Sequence, residues 1–277
     1  MTPPASAGRR PVTEAAPRVA ALKWSIFDGR PLDAFVTGRD GGVSTGPYAS
    51  LNLALHVGDD PDLVIENRRR AAAALGLALD DMVFCRQTHG RDVTVVGEAD
   101  RGRGTVSLDD AVPGDAVVTA TPGLGLAVMV ADCVPLVLYH PAGHVVAAVH
   151  AGWRGTVVRV AAAAVEAMIA LGADPAGVLA GIGPAIVADR YQVGDEVADA
   201  ARDCFGGDVD GILRPDGTGR WTFDGWAANR RILVEAGVLP GNIEVGSVGT
   251  GPGTPFFSDR AQRPCGRFAA VARLHHR

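Results

Sequence analysis

The sequence predicts an α+β fold in which mixed β-sheets form the interior and helices pack outside them. Short apolar runs rich in valine outnumber the helical stretches. Hairpin connections between these runs are more evident than the regular strand–helix alternation of a parallel α/β protein. Together these observations indicate the α+β class.

The predicted strands are short valine-rich runs bounded by glycine, proline or polar turn residues. They cover residues 34–37, 82–84, 93–96, 116–119, 126–130, 134–139, 145–149, 178–182 and 243–248. The predicted helices cover residues 61–75, 156–171, 194–204 and 224–236. Gly172 closes the second helix, while Asp224 caps the fourth and Gly237 stops it.

No internal repeat, long low-complexity segment or Pro/Gly linker divides the chain, so we expect one domain over residues 19–277. Residues 1–18 are predicted to be a disordered N-terminal tail. This segment is rich in proline and arginine and lacks the apolar core of a signal peptide. The most apolar helix, at 157–171, is interrupted by Arg159 and Glu166, which excludes a membrane span.

Charge and cysteine usage narrow the functional classes. The net charge of -5 is spread along the chain and offers no electropositive surface for a nucleic acid. The four cysteines are far apart and form no CxxC pair, so we interpret them as reduced thiols in a cytoplasmic protein. A monomer that acts on small molecules is expected.

The segment from Cys133 to His150 is predicted to be a hairpin that brings two metal ligands together. His140-Pro141-Ala142-Gly143 suits a type I turn. If His140 pairs with Gly143, Cys133 lies opposite His150, and opposed Cβ atoms are roughly 4.5 to 5.5 Å apart. A bulge at Gly143 would change this register. A sulfur and an imidazole at that separation can share one cation.

His89 is the predicted third ligand, because it follows a strand and precedes Gly90, where a side chain can point into a cleft. Two imidazoles and a thiolate, with one position left for water, match the pattern of catalytic zinc. Histidines at strand ends are also often only hydrogen-bonded, and a buried cysteine is often inert. The predicted opposition of Cys133 and His150 favours the metal site.

An anion site is predicted beside these ligands. Ala151-Gly152-Trp153-Arg154-Gly155-Thr156 leaves a strand through glycines into a helix, where free amides and Arg154 could bind phosphate or carboxylate. A capped turn with a surface arginine is the simpler alternative. Arg68 is a second candidate anion ligand, and its alternative is a solvated helix face. Asp132 could orient a ligand or carry a proton.

Several ordered motifs together are more specific than any one alone. They are Gly41-Gly42-Val43-Ser44, Ser50-Leu51-Asn52-Leu53, His56-Val57-Gly58-Asp59-Asp60, Glu66-Asn67-Arg68, Gln87-Thr88-His89-Gly90, Asp132-Cys133-Val134-Pro135, His150-Ala151-Gly152-Trp153-Arg154-Gly155 and Gly183-Pro184. Over about residues 34 to 270 the chain resembles the laccase-domain family, also called multicopper polyphenol oxidase or purine nucleoside phosphorylase.

The resemblance implies an αββα-type sandwich and a laccase-type, metal-dependent catalytic domain. It maps the metal ligands onto His89, Cys133 and His150. It also implies phosphorolysis of adenosine, inosine and S-methyl-5′-thioadenosine, with adenosine deaminase side activity and an association with peptidoglycan editing. Zinc is the expected metal, with copper as the alternative.

Substrate or phosphate binding is predicted for five motif residues, which are Asn52, Arg68, Gln87, Asp132 and Arg154. Two positions depart from the family pattern. Gly249 stands where members often have cysteine, and Asp259 stands where they often have an aromatic residue. Both belong to the C-terminal part of the predicted pocket.

Three other functions fit parts of the pattern. A copper-dependent polyphenol oxidase could use the same ligands with Met129 as an axial ligand, but the seven histidines contain no His-x-His pair for an oxygen-reducing cluster. A hydrolase editing peptidoglycan precursors could use Cys133 as nucleophile and His150 as base. A non-enzymatic metal-binding domain is the remaining alternative.

Overall fold

The computed structural model describes residues 19–277, so the tail predicted for residues 1–18 lies outside the described residues. Two six-stranded mixed sheets face each other, and helices cover their outer faces. This arrangement confirms the predicted α+β fold of αββα type. Within residues 19–277, none of the helices has the length and hydropathy needed to cross a bilayer.

The strands are numbered in chain order, which differs from their order across each sheet. Across the first sheet lie β1 (Ala20–Leu22), β2 (Leu32–Thr37), β15 (Phe268–Leu274), β7 (Gly125–Val130), β3 (Met82–Arg86) and β5 (Val112–Pro113). Across the second lie β14 (Ile243–Val245), β10 (Leu179–Ile182), β8 (Val134–His140), β9 (Val145–Ala151), β6 (Ala116–Thr119) and β4 (Val93–Val95). A small third sheet contains β11 (Gln192–Gly194), β13 (Arg220–Phe223) and β12 (Leu213–Pro215).

The α-helices are α1 (Pro61–Ala74), α2 (Trp153–Val157), α3 (Val160–Ala170), α4 (Asp195–Phe205) and α5 (Gly225–Glu235). Helix α1 packs on the outer face of the first sheet, and the other helices pack on the second. Between the sheets, alternate residues such as Val128 and Ala270 meet Val137 and Val146. Strands buried on both faces explain why these runs are continuously apolar.

Every predicted strand run falls on a strand of the structure. The prediction lacks β1, β5, β11, β12, β13 and β15, of which the longest is β15. This strand lies between β2 and β7, in the interior of the first sheet. Its segment, Phe-Ala-Ala-Val-Ala-Arg-Leu, is rich in alanine and has no polar alternation. Both faces of β15 are buried, so the alternation that normally marks a strand is missing.

The single helix predicted for residues 156–171 is wrong. The structure has two helices, α2 and α3, separated at Arg159, whose φ of 65° is left-handed. The Arg159 guanidinium lies 2.7 Å from the Glu235 carboxylate of α5. This ion pair accompanies the change of direction that carries the chain from the site into the buried helix α3.

The predicted hairpin is confirmed as β8 and β9, but its register differs by two residues. His140 pairs with Val145, and Pro135 lies opposite His150. The turn is longer because the Gly143 N–H donates to the His140 ring at 2.9 Å and His144 adopts a left-handed φ of 52°. A shift of two residues keeps every side chain on its face, so Cys133 and His150 still point the same way.

Candidate active site

The turn that carries Cys133 crosses from the first sheet to the second. Residues 131–133 connect β7 to β8, and Asp132 has a left-handed φ of 86°. Both Asp132 carboxylate oxygens are engaged, one by the Thr250 hydroxyl and one by the Arg260 backbone N–H at 2.7 Å. Asp132 therefore ties the segment around Thr250 and Arg260 to the turn, and its contacts are structural.

The structure brings His89, Cys133 and His150 together, as the sequence predicts. One potential ligand atom from each residue lies within 4.8 Å of the others. The Cys133 Sγ is 3.9 Å from the His89 Nε2, and the two imidazole rings meet edge to face with centroids 4.7 Å apart. His89 is exposed and has a φ of 62°, whereas His150 is buried.

Asp115 is the residue that sequence reasoning missed. Its buried carboxylate accepts a hydrogen bond from the His150 Nδ1–H at 2.7 Å and from the His89 backbone N–H at 2.9 Å. It also accepts the backbone N–H groups of Thr88 and Gly90. One carboxylate thus orients one predicted ligand and fixes the loop that carries another. The only sequence signal is an acidic residue that directly precedes a valine-rich strand.

The charges around Cys133 suit a cation. Burial raises the pKa of the thiol, but the charge of the neighbouring His150, and then His89, lower that pKa to about 6. Burial lowers the pKa of His150, but Cys133 and Asp115 raise it to about 9. Burial also raises the pKa of Asp115, which hydrogen bonds from His150, Gly90 and Thr88 lower to about 2. The Cys133 thiolate therefore lies next to the His150 imidazolium, and the His150 Nδ1–H donates to the Asp115 carboxylate.

This donor set fits a metal ion. A cation would take the place of the His150 proton beside the Cys133 thiolate, and the Asp115 hydrogen bond leaves the His150 Nε2 as the ligand atom. Two imidazoles and one thiolate are ligands of both zinc and copper. His89, Cys133 and His150 could hold either ion at the wall of the adjacent cavity.

The cavity beside the trio has a volume of about 410 Å³, within the range of small-molecule sites. Its wall is formed by His56, Cys85, Arg86, Gln87, His89, Leu108, Met129, Val130, Ala131, Cys133, His150, Asp259 and Arg267. Most of these residues lie at the ends of β3 and β7, at one edge of the first sheet. A ligand in this cavity would contact the trio directly, whereas Asp132 is not part of the wall.

The structure corrects the predicted role of Arg68. Its side chain is fully buried, and its guanidinium donates to the backbone carbonyls of Leu53, Gly104 and Thr105 at distances of 2.5 to 2.9 Å. It also stacks on the Phe84 ring, 4.1 Å from the centroid. These bonds lie away from the cavity wall and occupy the guanidinium with backbone carbonyls, so the contacts of Arg68 in the structure are structural.

Asn52 and Gln87 also have structural contacts. The Asn52 amide bonds Ala54, Asp59 and the Arg267 backbone N–H, and it does not line the cavity. Gln87 does line the cavity, but its amide bonds both the N–H and the C=O of Met129 at 2.8 and 2.7 Å. Gln87 thereby continues the pairing of β3 with β7 through its side chain.

Arg154, predicted as an anion ligand, does not line the cavity beside the trio. Arg154 is exposed, stacks on Trp153 and lies 3.3 Å from the Glu196 carboxylate. A Cβ on Gly152 would come within 2.8 Å of the His89 ring and 3.1 Å of the Cys133 Sγ. The glycine therefore leaves space for the predicted metal ligands, and the contacts of Arg154 are those of a surface arginine.

Met129 is poorly placed as an axial copper ligand. Its sulfur lies 3.5 Å from an Arg68 nitrogen, on the α1 side of the first sheet. His56, Arg86 and Arg267 are further cavity residues that received no role from the sequence. Their positions depend on how distant segments meet at the sheet edge, which no local motif reveals.

Comparison with known proteins gives consistent matches. Residues 33–275 match the family model described as multi-copper polyphenol oxidoreductase laccase. A Deinococcus radiodurans protein named purine nucleoside phosphorylase is 46% identical over 205 residues, which is 74% of this chain and 75% of that protein. A prokaryotic protein named adenosine deaminase RL5 is 41% identical over 213 residues, covering 76% and 81% of the two chains.

Solved structures share the fold. The crystal structure of YlmD from Geobacillus stearothermophilus superposes with a TM-score of 0.85 at 34% sequence identity. The match covers 94% of this chain and 100% of that chain. The architecture described above therefore extends over nearly the whole of this relative.

Proposed function

Because the chain belongs to the multi-copper polyphenol oxidoreductase laccase family, we propose that it is a purine nucleoside phosphorylase with adenosine deaminase side activity. The proposed substrates are adenosine, inosine and S-methyl-5′-thioadenosine. The observation that carries the proposal is the His89, Cys133 and His150 trio, which opens onto a cavity of about 410 Å³. Relatives named for these two activities support it.

In phosphorolysis, a phosphate oxygen forms a bond to C1′ of the ribose while the C1′–N9 bond breaks. The electron pair of that bond goes to N9, which is then protonated, and the products are a free base and ribose 1-phosphate. The site must therefore hold a nucleoside and a phosphate together. Bringing both reactants into one cavity is itself a large part of the catalysis.

Deamination would use the trio. Here the oxygen of water bonds to C6 of adenosine while the C6–N bond breaks; one proton of that water leaves with the amino group as ammonia, and the other ends on N1 of the inosine product. Zinc, when bound, would lower the pKa of a bound water to roughly 7. His89, Cys133 and His150 would hold the ion, and Asp115 would keep the His150 ring in the correct orientation.

A second candidate function rests on the same residues. Cys133, His150 and Asp115 form a thiolate, imidazole and carboxylate series like that of a thiol hydrolase. In that reaction the thiolate would attack an amide carbon, His150 would protonate the leaving amine, and water would release the acyl group. The Asp115 contact favours this candidate, and a peptidoglycan precursor would be its substrate.

One experiment separates these functions. Purified protein, loaded with zinc or treated with a chelator, is incubated with inosine and inorganic phosphate, and ribose 1-phosphate is measured. We expect product with the loaded protein and a strong decrease after chelation. A fully loaded protein that forms no ribose 1-phosphate would refute phosphorolysis.

The hydrolase has a complementary test. Metal-free protein that hydrolyses a peptidoglycan precursor, and loses this activity when Cys133 is alkylated, would favour the thiol mechanism. The alkylation is best done in a Cys204→Ser background, because Cys204 is the other half-exposed cysteine. Cys85 needs no such substitution, since burial and then Asp115 raise the pKa of its thiol to about 12.

A further inference from the structure

The wall of the cavity away from the trio carries an excess of positive charge. Arg86 and Arg267 both line it. Arg86 ends β3 and Arg267 directly precedes β15, and these two strands lie on either side of β7. Neighbouring strands are about 4.8 Å apart, so the two backbones are separated by about 10 Å. Two long arginine side chains can converge across that distance.

Asp259 is the only acidic residue among the described residues that line the cavity. Its carboxylate is shared between Arg267 at 2.9 Å and Arg263 at 2.6 Å. The Asp259 carboxylate is therefore paired with two arginines, and Arg86 adds a further positive charge to the cavity wall. The charge that remains on this wall favours an anion as ligand.

Arg267 is held in a fixed orientation. Its Nη1 donates to the carbonyls of Cys265 and Gly266 at 3.0 and 3.2 Å, and its Nη2 donates to Asp259. Its backbone N–H donates to the Asn52 side chain at 2.9 Å. Within residues 19–277, no acceptor bonds the Nε–H of Arg267, so this donor stays available to a ligand.

Arg86 is partly engaged in the same way. Its Nη2 donates to the backbone carbonyls of Leu108 and Asp109 at 2.7 and 3.2 Å. These bonds hold the guanidinium at the cavity rim beside Leu108, which also lines the cavity. No carboxylate neutralises Arg86 among the ion pairs of the described residues, so its charge remains available.

We propose that Arg267 and Arg86 form the oxyanion subsite of this cavity and bind the phosphate group used in phosphorolysis. This proposal rests on the proposed function and names the residues that replace Arg68 and Arg154 as phosphate ligands. Arginine suits the role because its planar donors pair with two phosphate oxygens at once. Asn52 is a positioning residue, since it bonds the Arg267 backbone and not the ligand.

The subsite also explains how one cavity serves both proposed reactions. Because the trio and the two arginines line one cavity, a nucleoside with its base toward the trio would have its ribose toward the arginines. Phosphate bound there would lie beside C1′, the atom that it attacks. His56 adds a neutral donor or acceptor on this wall, because burial, followed by Arg267, Arg68 and His89, lowers the pKa of its imidazole.

The test compares Arg267→Met, Arg267→Lys and Arg86→Met with Arg69→Met. Arg69 is an exposed residue of α1 outside the cavity and serves as the matched control. The KM for phosphate and the KM for inosine are measured separately, and phosphate-independent deamination of adenosine reports on the trio. We expect the phosphate KM to rise about tenfold or more in both Arg→Met variants, corresponding to about 1.4 kcal/mol. Arg69→Met should leave the phosphate KM, the inosine KM and the deamination rate within about twofold of the unaltered protein.

Arg267→Lys keeps the charge and the Asp259 pair but loses the fork, so we expect an intermediate phosphate KM. It also provides a folded variant should Arg267→Met fail to fold. An unchanged phosphate KM in Arg267→Lys and in Arg86→Met would overturn the subsite. The same kinetic result in the Arg69→Met control as in the cavity variants would overturn it as well.

Direct binding distinguishes this proposal from the proposed function. Inorganic phosphate, ribose 1-phosphate and unphosphorylated ribose are each titrated into zinc-loaded protein by calorimetry. Binding of inorganic phosphate that is lost in Arg267→Lys supports the subsite even if no phosphorolysis occurs. Binding of ribose 1-phosphate alone would assign the subsite to a sugar phosphate, whereas binding of neither phosphate would refute it.

Discussion

The Nδ1 of His150 lies 2.7 Å from the Asp115 Oδ1, and this pair is buried beneath the predicted metal ligands. The same carboxylate accepts the backbone N–H groups of Thr88, His89 and Gly90. Asp115 therefore joins strand β9 to the loop that carries His89. The arrangement of two predicted ligands depends on a residue that would not itself touch the ion.

Asp115→Asn tests this dependence. An amide matches the volume of the carboxylate, but its NH2 group opposes either the His150 Nδ1–H or the loop N–H groups. We expect zinc affinity to fall about 10- to 100-fold, as for other partners of metal-binding histidines. Competition with a chromophoric chelator measures the Kd, and an unchanged Kd would contradict the positioning role.

Gly152→Ala tests the space around the ligands. The glycine has a φ of -70°, which alanine adopts easily, so the cost is contact of the new Cβ with His89 and Cys133. We expect zinc affinity to fall about tenfold, because a shift of either ligand spoils a geometry that zinc requires. Gly241→Ala is the matched control, since no atom lies within 4 Å of a Cβ there. Equal zinc affinity in the two variants would argue against steric control of the trio.

Arg68→Met tests the structural role assigned to Arg68. Methionine removes the donors to Leu53, Gly104 and Thr105 and leaves buried carbonyls without partners. We expect the free energy of unfolding to decrease by about 3 kcal/mol or more. Urea denaturation measures this change, and exposed Arg69→Met should alter stability by less than about 0.5 kcal/mol. A stable Arg68→Met with a raised phosphate KM would restore the ligand role.

Zinc binding should depend on pH because an ion and the His150 proton compete. Cys133 and Asp115 overcome the effect of burial and raise the pKa of His150 to about 9, so metal-free protein carries that proton at pH 7. The pKa of Cys133 is about 6, because His150 and His89 outweigh its burial, and the thiol is already ionised above that value. Between pH 6 and 9 this one proton makes zinc affinity rise by about tenfold per pH unit. Chelator competition at several pH values measures the slope, and a flat profile would contradict the imidazolium assignment.

Site residues that are close in sequence could be predicted from it, whereas those joined by contacts between distant segments could not. Cys133 and His150 could be paired from sequence because they belong to one hairpin, and strand periodicity kept them on one face despite a register two residues away from the predicted one. Asp115 pairs with His150 across 35 residues of chain, and no local pattern marks that contact. The two residues meet because Asp115 directly precedes β6, which is the neighbour of β9 in the second sheet.

Polar residues within the motifs were predicted to bind ligands, but two of them bond the protein backbone instead. Arg68 and Asn52 lie in segments shared with the family, and their polar side chains suggested ligand binding. In the structure Arg68 bonds buried carbonyls, and Asn52 holds the backbone of Arg267. Sequence alone does not separate a polar residue that binds substrate from one that satisfies buried backbone, because both require the same side-chain chemistry.

The two sheets contribute different members of the trio. His89 follows β3 of the first sheet, His150 belongs to β9 of the second, and Cys133 lies in the connection between sheets. An ion held by all three would therefore act as a removable crosslink between the two layers of the sandwich. Because binding only to the folded state adds to stability, metal supply would govern how long the protein survives proteolysis as well as whether it is active.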